Sequence, residues 1–193
     1  MRYLVIFTSL VLALCMLCSF LPAKSDMRIY DDIVRLHIIA ASDSDDDQRL
    51  KEGVRDAVLP LLAEASEQAK NAKEAEFFLS ATLDAARETA ENYLRANGCD
   101  DPVSVTVSRE KYPEKSFEDI TLPAGTYTSL RIMIGEASGH NWWGVLFPQL
   151  CTGAASAEKE LKKTGFTSDQ IKILTESESP KYKIKFKILE IFS

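Results

Sequence analysis

Val103-Ser104-Val105-Thr106-Val107-Ser108 sets a β-branched apolar residue at every second position, with a small polar residue between. Side chains on a strand alternate between its two faces, so this period of two predicts a half-buried strand. The residues just before it obey a different spacing. Phe77, Phe78, Leu79, Leu83, Ala86, Ala90, Tyr93 and Leu94 recur at helical intervals among good helix formers, which predicts one amphipathic helix over 72–97 with Asn97-Gly98 as its stop. The switch from helical to strand period marks an α+β chain.

Working toward the amino end, Ile33-Val34-Arg35-Leu36-His37-Ile38-Ile39-Ala40 is short, β-branched and bounded by aspartates, the pattern of a mostly buried strand. Ser44 with Asp47 approximates a capping box, and Asp45 and Asp46 add charge that suits the positive end of a helix. Leu50, Val54, Ala57, Val58 and Leu61 then give a second apolar stripe, while Pro60 predicts a kink or break near Leu59.

Toward the carboxyl end, Leu122-Pro123-Ala124-Gly125-Thr126 reads as a turn, followed by a strand over 127–134. Gly135 to Gly139 then make a loop into a strand over 142–147, and these two strands are expected to form a hairpin. Residues 156–163 predict a short charged helix and 175–180 a polar connection. In the tail, Lys181, Lys183, Lys185 and Lys187 alternate with Tyr182, Ile184, Phe186 and Ile188, as in a lysine-protected edge strand; a basic membrane-surface segment is the alternative. The expected architecture is a single domain of two amphipathic helices packed on a mainly antiparallel sheet.

Residues 3–23 form an uncharged apolar run behind Arg2, an export signal that is also long enough for an anchor; the division is 1–24 for the signal peptide or uncleaved membrane anchor and 25–193 for the exported domain. Loss of 1–24 removes Arg2 and Lys24 and no acid, so the formal charge moves from −6 to −8. That acidity argues against nucleic-acid backbone binding, which needs clustered cations. Cys15 and Cys18 lie in the leader, leaving Cys99 and Cys151 as the pair available for a disulfide or as two separate thiols.

Gly139-His140-Asn141-Trp142-Trp143-Gly144-Val145-Leu146-Phe147-Pro148-Gln149-Leu150-Cys151 holds both tryptophans and one of the two histidines. Adjacent indoles on a strand point to opposite faces, so one meets the core, and the other either meets a partner or packs as core as well. His140, Asn141, Trp142 and Trp143 are accordingly the candidate partner-binding residues. A thiol-dependent hydrolase using Cys151 and His140, with His37 and an aspartate as orienting groups, is the rival reading, and an envelope-tethered structural protein a third. Asp43, Asp45 and Asp47 match the first three ligand positions of a calcium loop, but Gln48 stands where its glycine belongs and Val54 where its closing glutamate belongs. No hydrolase elbow, zinc helix, phosphate loop or dinucleotide fingerprint occurs, so neither catalytic residues nor a cofactor or metal site is predicted.

Two blocks carry a family resemblance: Arg35-Leu36-His37-Ile38-Ile39-Ala40-Ala41-Ser42-Asp43-Ser44 leading to Val54-Arg55-Asp56-Ala57-Val58, and Leu122-Pro123-Ala124-Gly125-Thr126-Tyr127 leading to Asn141-Trp142-Trp143-Gly144-Val145-Leu146-Phe147-Pro148. Between about 33 and 151 the chain resembles the stage II sporulation protein R family. The resemblance implies a non-enzymatic signal, exported from the forespore into the intermembrane space. Its implied partner is a membrane-embedded aspartic protease of the stage II sporulation protein GA type, activated to mature pro-sigma-E in the mother cell. Where the family implies a cysteine after the paired tryptophans, this chain has Gly144, which puts a pairing between that place and Cys151 in doubt.

Overall fold

A computed structural model describes residues 2–19, 29–117, 120–150 and 154–175. The amino-terminal helix α1 covers Arg2–Ser19, and among the described residues no helix is long and apolar enough to cross a membrane. The body begins with β1 (Val34–Ile39), then α2 (Asp45–Glu67), α3 (Ala72–Ala81), α4 (Leu83–Ala96) and β2 (Val103–Tyr112). A small hairpin of β3 (Lys115–Phe117) and β4 (Ile120–Leu122) precedes β5 (Gly125–Ile134) and β6 (Asn141–Phe147), and α5 (Ala154–Lys163) and α6 (Ser168–Thr175) follow.

Helix α2 starts where its caps predict. Ser44 Oγ accepts from the Asp47 amide at 3.2 Å, and the three aspartates 45–47 occupy the first turn. The return arm of the capping box is rerouted: the Asp47 carboxylate accepts from Ser42 Oγ, and Ser42 Oγ in turn takes the Ser44 amide. Pro60 does not end the helix, which continues to Glu67. Val54, Val58 and Leu62 are buried on one stripe across the proline while Pro60 faces solvent, so packing on both sides offsets the lost backbone bond.

The second expected helix is two. Thr82 interrupts it with φ −101° and ψ 2°, and both its amide and its hydroxyl donate to the Leu79 carbonyl, at 3.0 and 2.8 Å. A hydroxyl competing for backbone acceptors in this way accounts for the break between α3 and α4. Gly98 closes α4 at φ 76°, with the Cys99 amide folded back onto Leu94 O at 3.0 Å. Phe77, counted in the expected apolar stripe, is 71% exposed on α3.

The sheet is mostly antiparallel, in the order β2-β5-β1-β6. β5 runs antiparallel to β2 and parallel to β1, and β6 antiparallel to β1. The expected β5–β6 hairpin is therefore wrong, because β1 lies between its two strands. The physical reason is that β1 buries side chains on both faces and uses both of its backbone edges, which makes it a central strand. The loop from β5 to β6 instead crosses the end of β1: Ser138 and Gly139 amides donate to Ala41 O and Ala40 O at 3.2 and 3.1 Å. A Cβ on Gly139 would stand 2.1 Å from the Ser42 carbonyl oxygen, so this crossing requires glycine.

Each sheet face carries its own core. On one, Val34, Leu36, Ile38, Leu130, Ile132 and Ile134 meet Val54, Val58, Leu62, Leu79, Ala90 and Leu94 from α2, α3 and α4. On the other, Tyr112, Tyr127 and Val145 lie under a layer built from Ile29, Ile33, the β3–β4 hairpin and the two short helices α5 and α6. The predicted charged helix thus exists, beginning two residues early; the tail beyond Thr175 lies outside the described residues.

Candidate recognition site

The region of interest is built where the crossing loop passes the start of α2. His140 is tied to Asp43, whose Oδ1 accepts from the His140 amide at 2.6 Å and lies 2.5 Å from its ring Nδ1. Lys51 Nζ reaches under the loop to donate to His140 O at 3.2 Å and Gln48 Oε1 at 2.6 Å, while Gln48 Nε2 donates to Ser42 O at 2.9 Å. Lys51 is buried, and burial holds its ammonium below the usual lysine range. These contacts position the first residues of β6 against the end of β1.

On the face opposite α2–α4, register sets side chains in rows across the four strands. Thr106, Arg131, His37 and Trp143 form one row, and Ser108, Ser129, Arg35 and Val145 the next. His37 Nδ1 lies 3.1 Å from Glu110 Oε2 and its Nε2 2.9 Å from Asn141 Oδ1; Arg131 Nη1 holds the other Glu110 oxygen at 3.0 Å. Below them Tyr112 is the hub of an aromatic cluster, 6.1 Å from the His37 ring and 5.8 Å from both Trp143 and Tyr127. Arg35 is fully buried, its guanidinium 4.2 Å from the Tyr112 ring centre, and its Nε donates to Gly144 O at 3.0 Å. Burial lowers the Arg35 pKa and pushes Tyr112 up to about 12 and Tyr127 higher still, so both phenols stay protonated.

The predicted residues divide accordingly. His140 and Asn141 are exposed, the His140 side chain at 78%, whereas Trp142 and Trp143 are both half-buried on opposite faces. Trp142 packs on the helix-side core, with the Arg55 guanidinium 5.5 Å from its ring centre. Its six-membered ring covers Gly144, where a Cβ would come within 2.6 Å, so glycine leaves this indole the room that a side chain would take. Trp143 joins the other core. Cys99 is partly buried and free, with its thiol pKa raised by burial; Cys151 lies outside the described residues. His37 takes a glutamate where an aspartate was expected, and His140 is held by Asp43.

Asp43 and Asp47 are committed to hydrogen bonds within the loop pair, and among the described residues no cluster of three or more His, Cys, Asp or Glu is arranged to hold a metal. Arg35, Glu110, Tyr112 and Arg131 were not among the sequence candidates. For Arg35 a signal existed, as a fixed charge inside an otherwise apolar strand; Glu110 and Arg131 meet only through strand register.

A sequence profile described as Stage II sporulation protein R matches residues 30–157, from before β1 into α5. The Stage II sporulation protein R of Bacillus subtilis strain 168 is 34% identical over 140 residues, covering 70% of this chain and 62% of that protein. The chain thus spans a little under two thirds of the length of this relative. No solved structure matches the chain.

Proposed function

Because the chain belongs to the Stage II sporulation protein R family, we propose that it is an exported sporulation signal that activates a membrane-embedded aspartic protease, the enzyme that matures pro-sigma-E in the mother cell. Segment 1–24 directs it out of the forespore into the intermembrane space, where it remains secreted or anchored. The observation that carries this reading is the family match across 30–157, which takes in every strand of the four-stranded sheet. The family is named for sporulation and not for a reaction, in keeping with an activator whose partner performs the cleavage.

Activation requires that the signal bind the active arrangement of the protease more tightly than the inactive one. The exposed pair His140 and Asn141, held by Asp43 and His37 beside the half-buried indoles, offers a preorganised edge for that contact. The test is reconstitution of the full chain with a protease of the stage II sporulation protein GA type and pro-sigma-E in membranes. Processing that depends on the added chain is expected; its absence with folded protein overturns the activator reading. Replacing His140 and Asn141 together by alanine should reduce processing, and undiminished processing by a folded double variant would remove this edge from the contact.

A further inference from the structure

Five side-chain polar atoms are buried without a hydrogen-bond partner among the described residues: Arg35 Nη1 and Nη2, Arg131 Nε, Trp143 Nε1 and Thr106 Oγ1. All lie on one face of the sheet in the two adjacent rows already defined. Four of the five are N–H groups that can only donate. Two guanidiniums share this region, and the carboxylate of Glu110 on the same face of β2 has its oxygens engaged by Arg131 and His37. Aromatic rings over Arg35 provide attraction but no lone pair in the plane of its Nη groups. The missing element is an anionic acceptor, since leaving a buried cation and several donors unmatched costs several kcal/mol.

We infer that Arg35, with Trp143 and the Thr106–Arg131 pair beside it, forms an internal binding site for a carboxylate. The Nη1 and Nη2 groups of Arg35 present the two-pronged geometry that a carboxylate accepts, and Trp143 Nε1 supplies a further donor from the neighbouring row. The site does not depend on the signalling role proposed above. Arg35 is fully covered by the layer of Ile29, Ile33, β3–β4, α5 and α6, so occupancy requires this layer to part, and the carboxylate selects the parted arrangement.

The probe is acetate, added to the full chain at constant ionic strength against sodium chloride while thermal unfolding is followed. Acetate at roughly ten times its dissociation constant should raise the unfolding midpoint by about 3–5 °C. Arg35→Met, a replacement of similar volume, should fold and show no acetate-specific rise. Trp143→Phe, which keeps an aromatic ring and loses the donor, should show a reduced one. Absence of an acetate-specific rise in the parent overturns the site, as does a full rise in Arg35→Met. If Arg35→Met does not fold, Trp143→Phe decides, and an undiminished rise in it overturns the site. A rise with inorganic phosphate and none with acetate overturns the carboxylate assignment.

Discussion

On the helix side of the sheet, β1 and β5 present Val34, Leu36, Ile38, Leu130, Ile132 and Ile134, all buried against apolar helix residues. On the other side the same two strands present Arg35, His37, Ser129 and Arg131 beneath an aromatic hub. Backbone, twist and hydrogen bonding are common to both faces, so the contrast belongs to the side chains alone. One face follows the area rule, in which each buried methylene adds stability. The other retains charge and unmatched donors that this rule disfavours, and departures of this kind concentrate at functional sites.

Paired substitutions break the comparison most sharply. Leu130→Ala leaves a cavity between sheet and helices and should lower stability by about 3–4 kcal/mol in urea unfolding. Arg35→Met, one strand away and equally buried, should change it by less than about 1 kcal/mol or raise it, because the methionine removes an unneutralised charge. A loss at Arg35 as large as that at Leu130 would show that the two faces follow the same rule.

Strand β6 serves both faces, since Trp142 packs on one and Trp143 on the other. Its placement rests on the crossing loop, where a Gly139→Ala side chain would meet backbone oxygen. The expected cost is about 2 kcal/mol, with faster amide exchange in β6. Gly53→Ala is the control: its Cβ would meet the tip of the Tyr93 side chain, which can rotate away, so its cost should be smaller.

Much of the helix face is legible in sequence, because periods of two and 3.6 are local and the residues that carry them are apolar. The strand over 103–108, the Ser44 cap and the Gly98 stop all stand where spacing places them. Strand order is not local. Nothing within residues 127–147 encodes that β1 will insert between β5 and β6; that follows from β1 needing partners on both edges. The opposite face is harder for the same reason. Its rows join residues from four strands, and Glu110 reaches His37 and Arg131 only after β2, β5 and β1 have aligned. Arg35 is a fixed charge in an apolar run, but that its Nη groups find no acceptor among the described residues appears only when the surrounding side chains are in place.

Alkaline titration separates the faces at a smaller scale. Tyr112 carries a pKa of about 12 in the fold against 10.0 when free, so the folded chain holds a proton that the unfolded chain loses between those values. Stability from this group is intact below pH 10.0 and is lost as pH rises toward about 12. At pH 11 the loss should be about 1 kcal/mol relative to pH 9, by urea unfolding. Tyr112→Phe should lose less over this interval, although it also gives up the 2.6 Å hydrogen bond to Ser129 and starts from lower stability. Equal pH dependence in parent and variant would mean that Tyr112 ionises as readily folded as unfolded.

The smallest effect compares two arginines over aromatic rings. Arg35 sits over Tyr112 with Nη1 and Nη2 unmatched; Arg55 lies near Trp142 on the helix side, with its Nε donating to Asp56 Oδ1 at 2.7 Å. The hydrogen bond to Asp56 raises the Arg55 pKa, whereas burial lowers that of Arg35. If ring attraction alone governed both sites, a double-mutant cycle with leucine at the aromatic position and methionine at the arginine would give similar coupling for each pair. Arg55 and Trp142 should couple by about 0.5 kcal/mol, the scale of a solvated pair whose cation already has an acceptor. Arg35 and Tyr112 should couple more strongly, because removing the ring takes away one of the few groups stabilising a desolvated charge. Equal coupling would place Arg35 in a better solvated environment than its burial implies and would remove the basis for the contrast between the faces.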